Sequence, residues 1–169
     1  MKRIIMIDDE GDKTDVAKYA VTLKSKPYGF AVGPGKPEKF LDLSKEGIFT
    51  DVDAFLDYVN YLKSGDSEAQ SEQEEIVAFI IDQRIPPGDQ LVKIFPDMKL
   101  GDNHDRTGEA LLMHLDLYFQ EEIIENPIEF FVLSQLPGQV LQPFRFLYLS
   151  KNLHTCEDNC RTIHLKIGS

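Results

Sequence analysis

The chain has 169 residues, of which 29 are acidic and 18 are basic, and its formal net charge is −11. This length suits one domain over residues 1–169, and the charge disfavours nonspecific attraction to nucleic acids or anionic membranes. No apolar run approaches the roughly 20 residues that a membrane-spanning helix needs, and the first residues lead into a strand instead of a signal sequence. We therefore expect a cytoplasmic domain without a direct nucleic-acid or membrane partner.

The first half of the chain combines apolar runs with amphipathic segments. An apolar run predicts a first strand at 3–7, and helical spacing of apolar residues predicts helices over 13–24 and 51–63. A short second strand is expected at 29–32, followed by an irregular excursion rich in glycine and proline. Residues 64–75 are polar and acidic, so we expect a mobile linker there.

The second half contains further apolar runs without polar alternation. Such runs are typical of strands that are buried on both faces of a parallel sheet. The strands are predicted at 76–81, 129–133 and 144–150. Helices are predicted over 108–122 and 152–165, and the long loop 83–107 before the first of them would hold a short strand or helical turn. We expect this loop to be either a lid or disordered.

Polar side chains follow four of the predicted strands. Asp8 and Asp9 follow the first strand, Asp82 follows the third, Ser134 the fourth and Lys151 the fifth. The carboxyl ends of parallel strands lie at one edge of the sheet, where ligands bind in open α/β folds. A single aspartate at a strand end is more often a turn or capping residue, so the ordered set as a whole carries the argument.

This ordered set, Asp-Asp, Asp, Ser and Lys, resembles the receiver domain of two-component response regulators. The local sequences that carry the resemblance are 6–10, 81–86, 107–112 and 148–151. The resemblance implies an α/β, flavodoxin-like, doubly wound sheet of five parallel strands in the order 2-1-3-4-5. Relative to a typical receiver, loops would be inserted after strand 2 and helix 2 and after strand 3. Residues 135–150 leave room for only a reduced helix between strands 4 and 5.

The resemblance also implies a role for each polar residue. Asp82 would be the nucleophile that accepts a phosphoryl group, Lys151 would pair with one phosphoryl oxygen, and the hydroxyl of Ser134 would donate a hydrogen bond to another. A magnesium ion would be held by Asp8, Asp9, Asp82 and the backbone carbonyl of Arg84, with Asp8 acting through water. The implied partners are a histidine kinase or phosphotransfer protein and an unknown downstream protein. No enzymatic turnover beyond phosphorylation and dephosphorylation of the aspartate is expected.

Two other functions are compatible with the same residues. The first is a degenerate receiver that binds partners as a scaffold without phosphorylation, which a reduced helix between strands 4 and 5 would favour. The second is a magnesium-dependent phosphatase or nuclease that uses the three clustered carboxylates. The acidic composition opposes a nucleic-acid substrate, and Arg84 stands where a haloacid-dehalogenase-like phosphatase would need a second aspartate.

The last predicted helix contains four potential zinc ligands. They are His154, Cys156, Cys160 and His164. On a helix the last three would share one face, but the usual short zinc spacings with two cysteine pairs are absent. We therefore expect free cysteines that pack inward and retain zinc as an alternative.

Overall fold

A parallel sheet of five strands organises the structure, a computed structural model that describes residues 1–119, 128–135, 146–151 and 155–168. The strands are β1 (Arg3–Ile7), β2 (Ala31–Val32), β3 (Ile76–Asp82), β4 (Glu129–Ser134) and β5 (Leu147–Ser150). All neighbouring strands are parallel and their order is β2-β1-β3-β4-β5. The predicted fold class and strand order are confirmed.

Helices cover both faces of this sheet. They are α1 (Thr14–Lys24), α2 (Val52–Leu62), α3 (Ser67–Glu75), α4 (Gly88–Ile94), α5 (Thr107–Phe119) and α6 (Cys156–Ile167). Ile4 and Met6 of β1 pack with α1 and α6, whereas Ile5 and Ile7 pack with α2, α4 and α5. Successive strand residues point to opposite faces, so covering both faces explains why the strands are apolar without alternation.

The second strand is divided into two pieces by an excursion over residues 34–47. Its hydrogen bonds with β1 run from Ala31 N to Lys2 O, from Gly33 N to Ile4 O, from Phe49 N to Met6 O and from Asp8 N to Phe49 O. Gly33 and Gly47 meet where the excursion leaves and returns, with φ of +87° and +93°. A Cβ on Gly33 would lie 2.4 Å from the carbonyl oxygen of Gly47. The predicted excursion is confirmed, but the strand resumes beside β1 after it.

The prediction of a mobile linker over residues 64–75 is wrong, because Ser67–Glu75 forms α3. The side chain of Asp66 caps the helix by accepting hydrogen bonds from the backbone N–H groups of Glu68 and Ala69, and Ala69 is fully buried. Acidic side chains of α3 have distant partners. Glu72 accepts hydrogen bonds from Gly35 N and Tyr58 Oη, and Glu75 pairs with Arg3. These contacts stabilise a helix whose composition is typical of solvated loops.

The insertion after β3 is largely helical, so the predicted helical turn is confirmed. The carboxylate of Asp53 in α2 accepts hydrogen bonds from Asp89 N at 3.0 Å and Gln90 N at 2.9 Å, at the start of α4. The side chain of Gln90 donates in return to Asp57 at 2.9 Å. Leu91 is fully buried in the core on this face of the sheet. The insertion is therefore fastened to α2.

Some predicted elements lie outside the described residues. They are the reduced helix between β4 and β5 at 136–145, the end of the helix predicted to reach residue 122, and residues 152–154 of the last helix. Within the described ranges, the helices are all too short or too polar to cross a membrane.

Candidate functional site

Three aspartates meet at the carboxyl ends of β1 and β3. These neighbouring strands pair Ile7 with Ile81, so the residues that follow, Asp8 and Asp82, emerge side by side. One carboxylate oxygen from each of Asp8, Asp9 and Asp82 lies within 4.8 Å of the others. Asp8 and Asp82 are buried, whereas Asp9 is exposed. Within the described ranges, this is the one group of three or more acidic, histidine or cysteine side chains close enough to share a metal ion.

Lys151 reaches this acidic group from β5, across the intervening strand β4. Its ammonium nitrogen lies 2.5 Å from Asp8 Oδ2 and 3.5 Å from Asp82 Oδ1, and its side chain is 11% exposed. Its backbone N–H donates a hydrogen bond to the carbonyl of Ser134 at 2.8 Å. The acids of the first and third strands and the lysine of the fifth are therefore brought together.

Ser134 and Arg84 flank the acidic group. Ser134 is buried at the end of β4, one position beyond Leu133, which pairs with Asp82. The side chain of Arg84 is exposed, and its Nε lies 2.8 Å from Asp105 Oδ1 in the insertion. The hydrogen bond expected from the Ser134 hydroxyl and the metal contact expected from the Arg84 carbonyl stay predictions.

The charges at this site do not balance. Burial, followed by the charge of Asp8, raises the pKa of Asp82 to about 8, although Lys151 acts in the opposite direction. Burial and the neighbouring charges of Asp8 and Glu10 also raise the pKa of Asp9. Burial alone would lower the pKa of Lys151, but the two contacting carboxylates outweigh it and raise that pKa. One ammonium cannot neutralise three carboxylates, so the group attracts protons or another cation.

The donor set fits a hard divalent cation. Magnesium prefers oxygen ligands, takes one or two carboxylates from a protein and keeps several waters. Asp8, Asp9 and Asp82 supply carboxylate oxygens close together, and the exposed Asp9 opens the group to solvent. These residues could hold magnesium, which would supply the positive charge that the site lacks.

Gln83 and Gly108 shape the backbone under Asp82, a role that sequence reasoning gave to neither of them. Gln83 is buried, its N–H donates to Leu133 O at 3.0 Å, and its carbonyl accepts from Gly108 N at 2.9 Å. Its side chain also accepts a hydrogen bond from the hydroxyl of Tyr148. A Cβ on Gly108 would lie 2.7 Å from Gln83 Cα, so only glycine lets the start of α5 approach this closely. The sequence signal for this contact was the position of Gly108 within segment 107–112, one of the segments that resemble receiver domains.

The cysteines of α6 pack inward, as predicted. Cys156 and Cys160 are free and buried in the core between α1 and α6. The ring of His164 instead lies against Tyr28, with ring centres 5.0 Å apart. Cys156, Cys160 and His164 do not form a three-ligand group, and His154 lies outside the described residues. The described side chains therefore give the zinc alternative no support.

Comparison with known proteins supports the fold. No family model matches the chain, and no curated protein matches it. Among solved structures, it is similar to the crystal structure of a mutant receiver domain of the histidine kinase CKI1 from Arabidopsis thaliana. The TM-score is 0.54 at 13% sequence identity, and the match covers 97% of this chain and 90% of that one. The chain therefore has a flavodoxin-like receiver fold.

Proposed function

We propose that this chain, which has the fold of a receiver domain, accepts a phosphoryl group on Asp82 with magnesium and signals through protein contacts. The observation that supports this best is the position of the Lys151 ammonium, 2.5 Å from Asp8 and 3.5 Å from Asp82 within the acidic group. A histidine kinase or phosphotransfer protein in the cytoplasm would supply the phosphoryl group. A downstream protein would then recognise the phosphorylated form.

Asp82 is the nucleophile in this proposal. A carboxylate oxygen of Asp82 forms a bond to phosphorus while the bond between phosphorus and the donor breaks, and the donor leaves with the bonding electrons. Catalysis of such a transfer is mostly positioning and stabilisation of negative charge. Asp82 is buried at a fixed strand end, so its carboxylate is held in one place.

Magnesium, Lys151 and Ser134 would each stabilise part of the negative charge in this transfer. Magnesium, held by the three aspartates and by the carbonyl of Arg84, would neutralise charge on the carboxylates and the phosphoryl oxygens. Lys151 already lies beside Asp82, and its ammonium suits contact with one phosphoryl oxygen. Ser134 ends the strand next to Asp82, and its hydroxyl would donate to another oxygen.

Phosphorylation by a small phosphodonor tests this function. The protein is incubated with magnesium and acetyl phosphate, and intact mass is measured before and after hydroxylamine, which cleaves acyl phosphates. We expect the mass of one phosphoryl group to be gained and then lost. Asp82→Asn should abolish the gain, while Asp158→Asn, which changes a largely exposed aspartate of α6, should keep it.

Two results would overturn the proposal. One is a folded wild-type protein that gains no mass with acetyl phosphate and shows no change in its NMR spectrum with beryllofluoride and magnesium. The other is a phosphoryl group that still forms in Asp82→Asn. Sustained magnesium-dependent release of phosphate from phosphoesters would favour the phosphatase alternative.

A further inference from the structure

We propose that Asn159 is a positioning residue for Lys151. Asn159 lies in α6 and holds the peptide group between Ser150 and Lys151, and it thereby sets the point from which the lysine reaches Asp8 and Asp82. The inference rests on the proposed function, since the work of Lys151 is to meet a phosphoryl group on Asp82.

The carbonyl of Ser150 accepts hydrogen bonds from two side chains of the last helical segment. Asn159 Nδ2 donates to this oxygen at 2.8 Å, and Thr155 Oγ1 donates to it at 2.8 Å. Both lone pairs of the carbonyl oxygen are therefore engaged. Asn159 Nδ2 also donates to the hydroxyl of Tyr19 in α1 at 2.8 Å, and Asn159 is only 8% exposed. The buried amide thus ties the end of β5 to both helices on this face of the sheet.

The same peptide group is held from its other side. The N–H of Lys151 donates to the carbonyl of Ser134 at the end of β4. Because a peptide group is planar, fixing its oxygen and its N–H fixes its orientation. The Cα of Lys151 belongs to this plane, so the point from which the lysine side chain starts is set by α6 and β4 together.

Control of the starting point matters because the lysine side chain is long. It is a flexible four-carbon stem that ends in a compact charge, and it must cross β4 to reach Asp8. A displacement of about 1 Å at a reacting group can cost as much as 100-fold in rate. Cys160 and Ile163 of the same helix are buried in the apolar core on this face of the sheet, whereas the contacts of the Asn159 amide are polar.

The test compares Asn159→Leu with the wild type. We expect phosphorylation by acetyl phosphate at saturating magnesium to slow about tenfold, since one hydrogen bond to the positioning peptide is lost. The dissociation constant for magnesium should not increase, because Asn159 does not take part in the acidic group and a displaced Lys151 ammonium would compete less with magnesium for Asp8 and Asp82. A general loss of structure would lower both the phosphorylation rate and the magnesium affinity. A lower rate without weaker magnesium binding therefore distinguishes a positioning role from a loss of stability.

Two control variants isolate the bond to Ser150. Tyr19→Phe removes the tyrosine hydroxyl but leaves both donors to the Ser150 carbonyl, and its rate should stay near the wild-type rate. Asn60→Leu removes a similar contact on the other face of the sheet, where the Tyr118 hydroxyl donates to Asn60 at 2.7 Å. Its rate should also be unchanged.

The inference is overturned if Asn159→Leu is phosphorylated as fast as the wild type, or if its rate and magnesium affinity fall together. If that variant does not fold, Thr155→Val removes the other donor to the same carbonyl, and an unchanged rate in this variant overturns the inference. A wild-type protein that accepts no phosphoryl group refutes the proposed function and the inference with it. Equal rates in a phosphorylated wild type and Asn159→Leu refute the inference alone.

Discussion

Replacing Asp82 with asparagine should stabilise the protein when divalent cations are removed. The difference in the free energy of unfolding between Asp82→Asn and the wild type should increase with pH. In the folded chain the pKa of Asp82 rises from 3.8 to about 8, first through burial and then through the charge of Asp8. The folded state therefore holds a proton that the unfolded state releases between these two values. The free energy of unfolding of the wild type therefore decreases as pH rises from 3.8 to about 8, and this ionisation lowers it no further at higher pH.

The size of the effect follows from the width of this range. Each unit of pKa difference corresponds to 1.36 kcal/mol, so the wild type should lose about 3 kcal/mol relative to Asp82→Asn between about pH 5 and pH 7. Urea unfolding with a chelator present measures the free energy of unfolding of both proteins at each pH. Added magnesium should recover stability in the wild type, because it binds the folded site.

A matched variant makes this result specific. Asp158→Asn removes the same charge from a side chain that is 75% exposed, so its difference from the wild type should stay small at every pH. A stability difference between Asp82→Asn and the wild type that is flat, or that shrinks as pH rises from 5 to 7, would refute the proposed electrostatics.

Three further predictions concern the surroundings of the site. Asp53→Ala removes the cap that α2 provides for α4 and should lower the free energy of unfolding by about 1–2 kcal/mol, whereas Asp57→Ala, which loses only a side-chain contact, should cost less. Gly108→Ala places a Cβ 2.7 Å from the backbone under Asp82 and should cost about 1–3 kcal/mol in urea unfolding, whereas Gly101→Ala meets nothing within 4 Å and should be close to neutral. Asp9→Asn should weaken magnesium binding at least tenfold in a calorimetric titration, since it removes one of three clustered carboxylates. Equal losses of stability at positions 53 and 57, or at positions 108 and 101, would contradict the first two predictions. An unchanged magnesium affinity in Asp9→Asn would contradict the third.

The sheet and the acidic group were predictable because their signals are local. Each central strand is an unbroken apolar run, and the polar residue that follows it marks where the strand leaves the core. Once the strands are parallel, their ends must share one edge, so Asp8, Asp82 and Lys151 come together without further information.

The features that were missed depend on partners far away in the sequence. The acidic side chains of α3 are paired with Arg3, Gly35 and Tyr58, which no local pattern could connect with them. The return of the second strand at residues 48–50 depends on the close approach of Gly33 and Gly47. The role proposed for Asn159 likewise depends on Ser150 and Tyr19, which only the folded chain brings to it.

The crossing of Gly33 and Gly47 has a consequence for engineering. Because the two ends of the excursion touch, its length is independent of the register between the second strand and β1. A foreign peptide can be grafted beside Leu41, which is 80% exposed, provided that Phe40 and Asp42 keep their contacts with Phe49 and Thr50 of the returning strand. This side loop is therefore a natural place for an epitope or a fluorescent reporter.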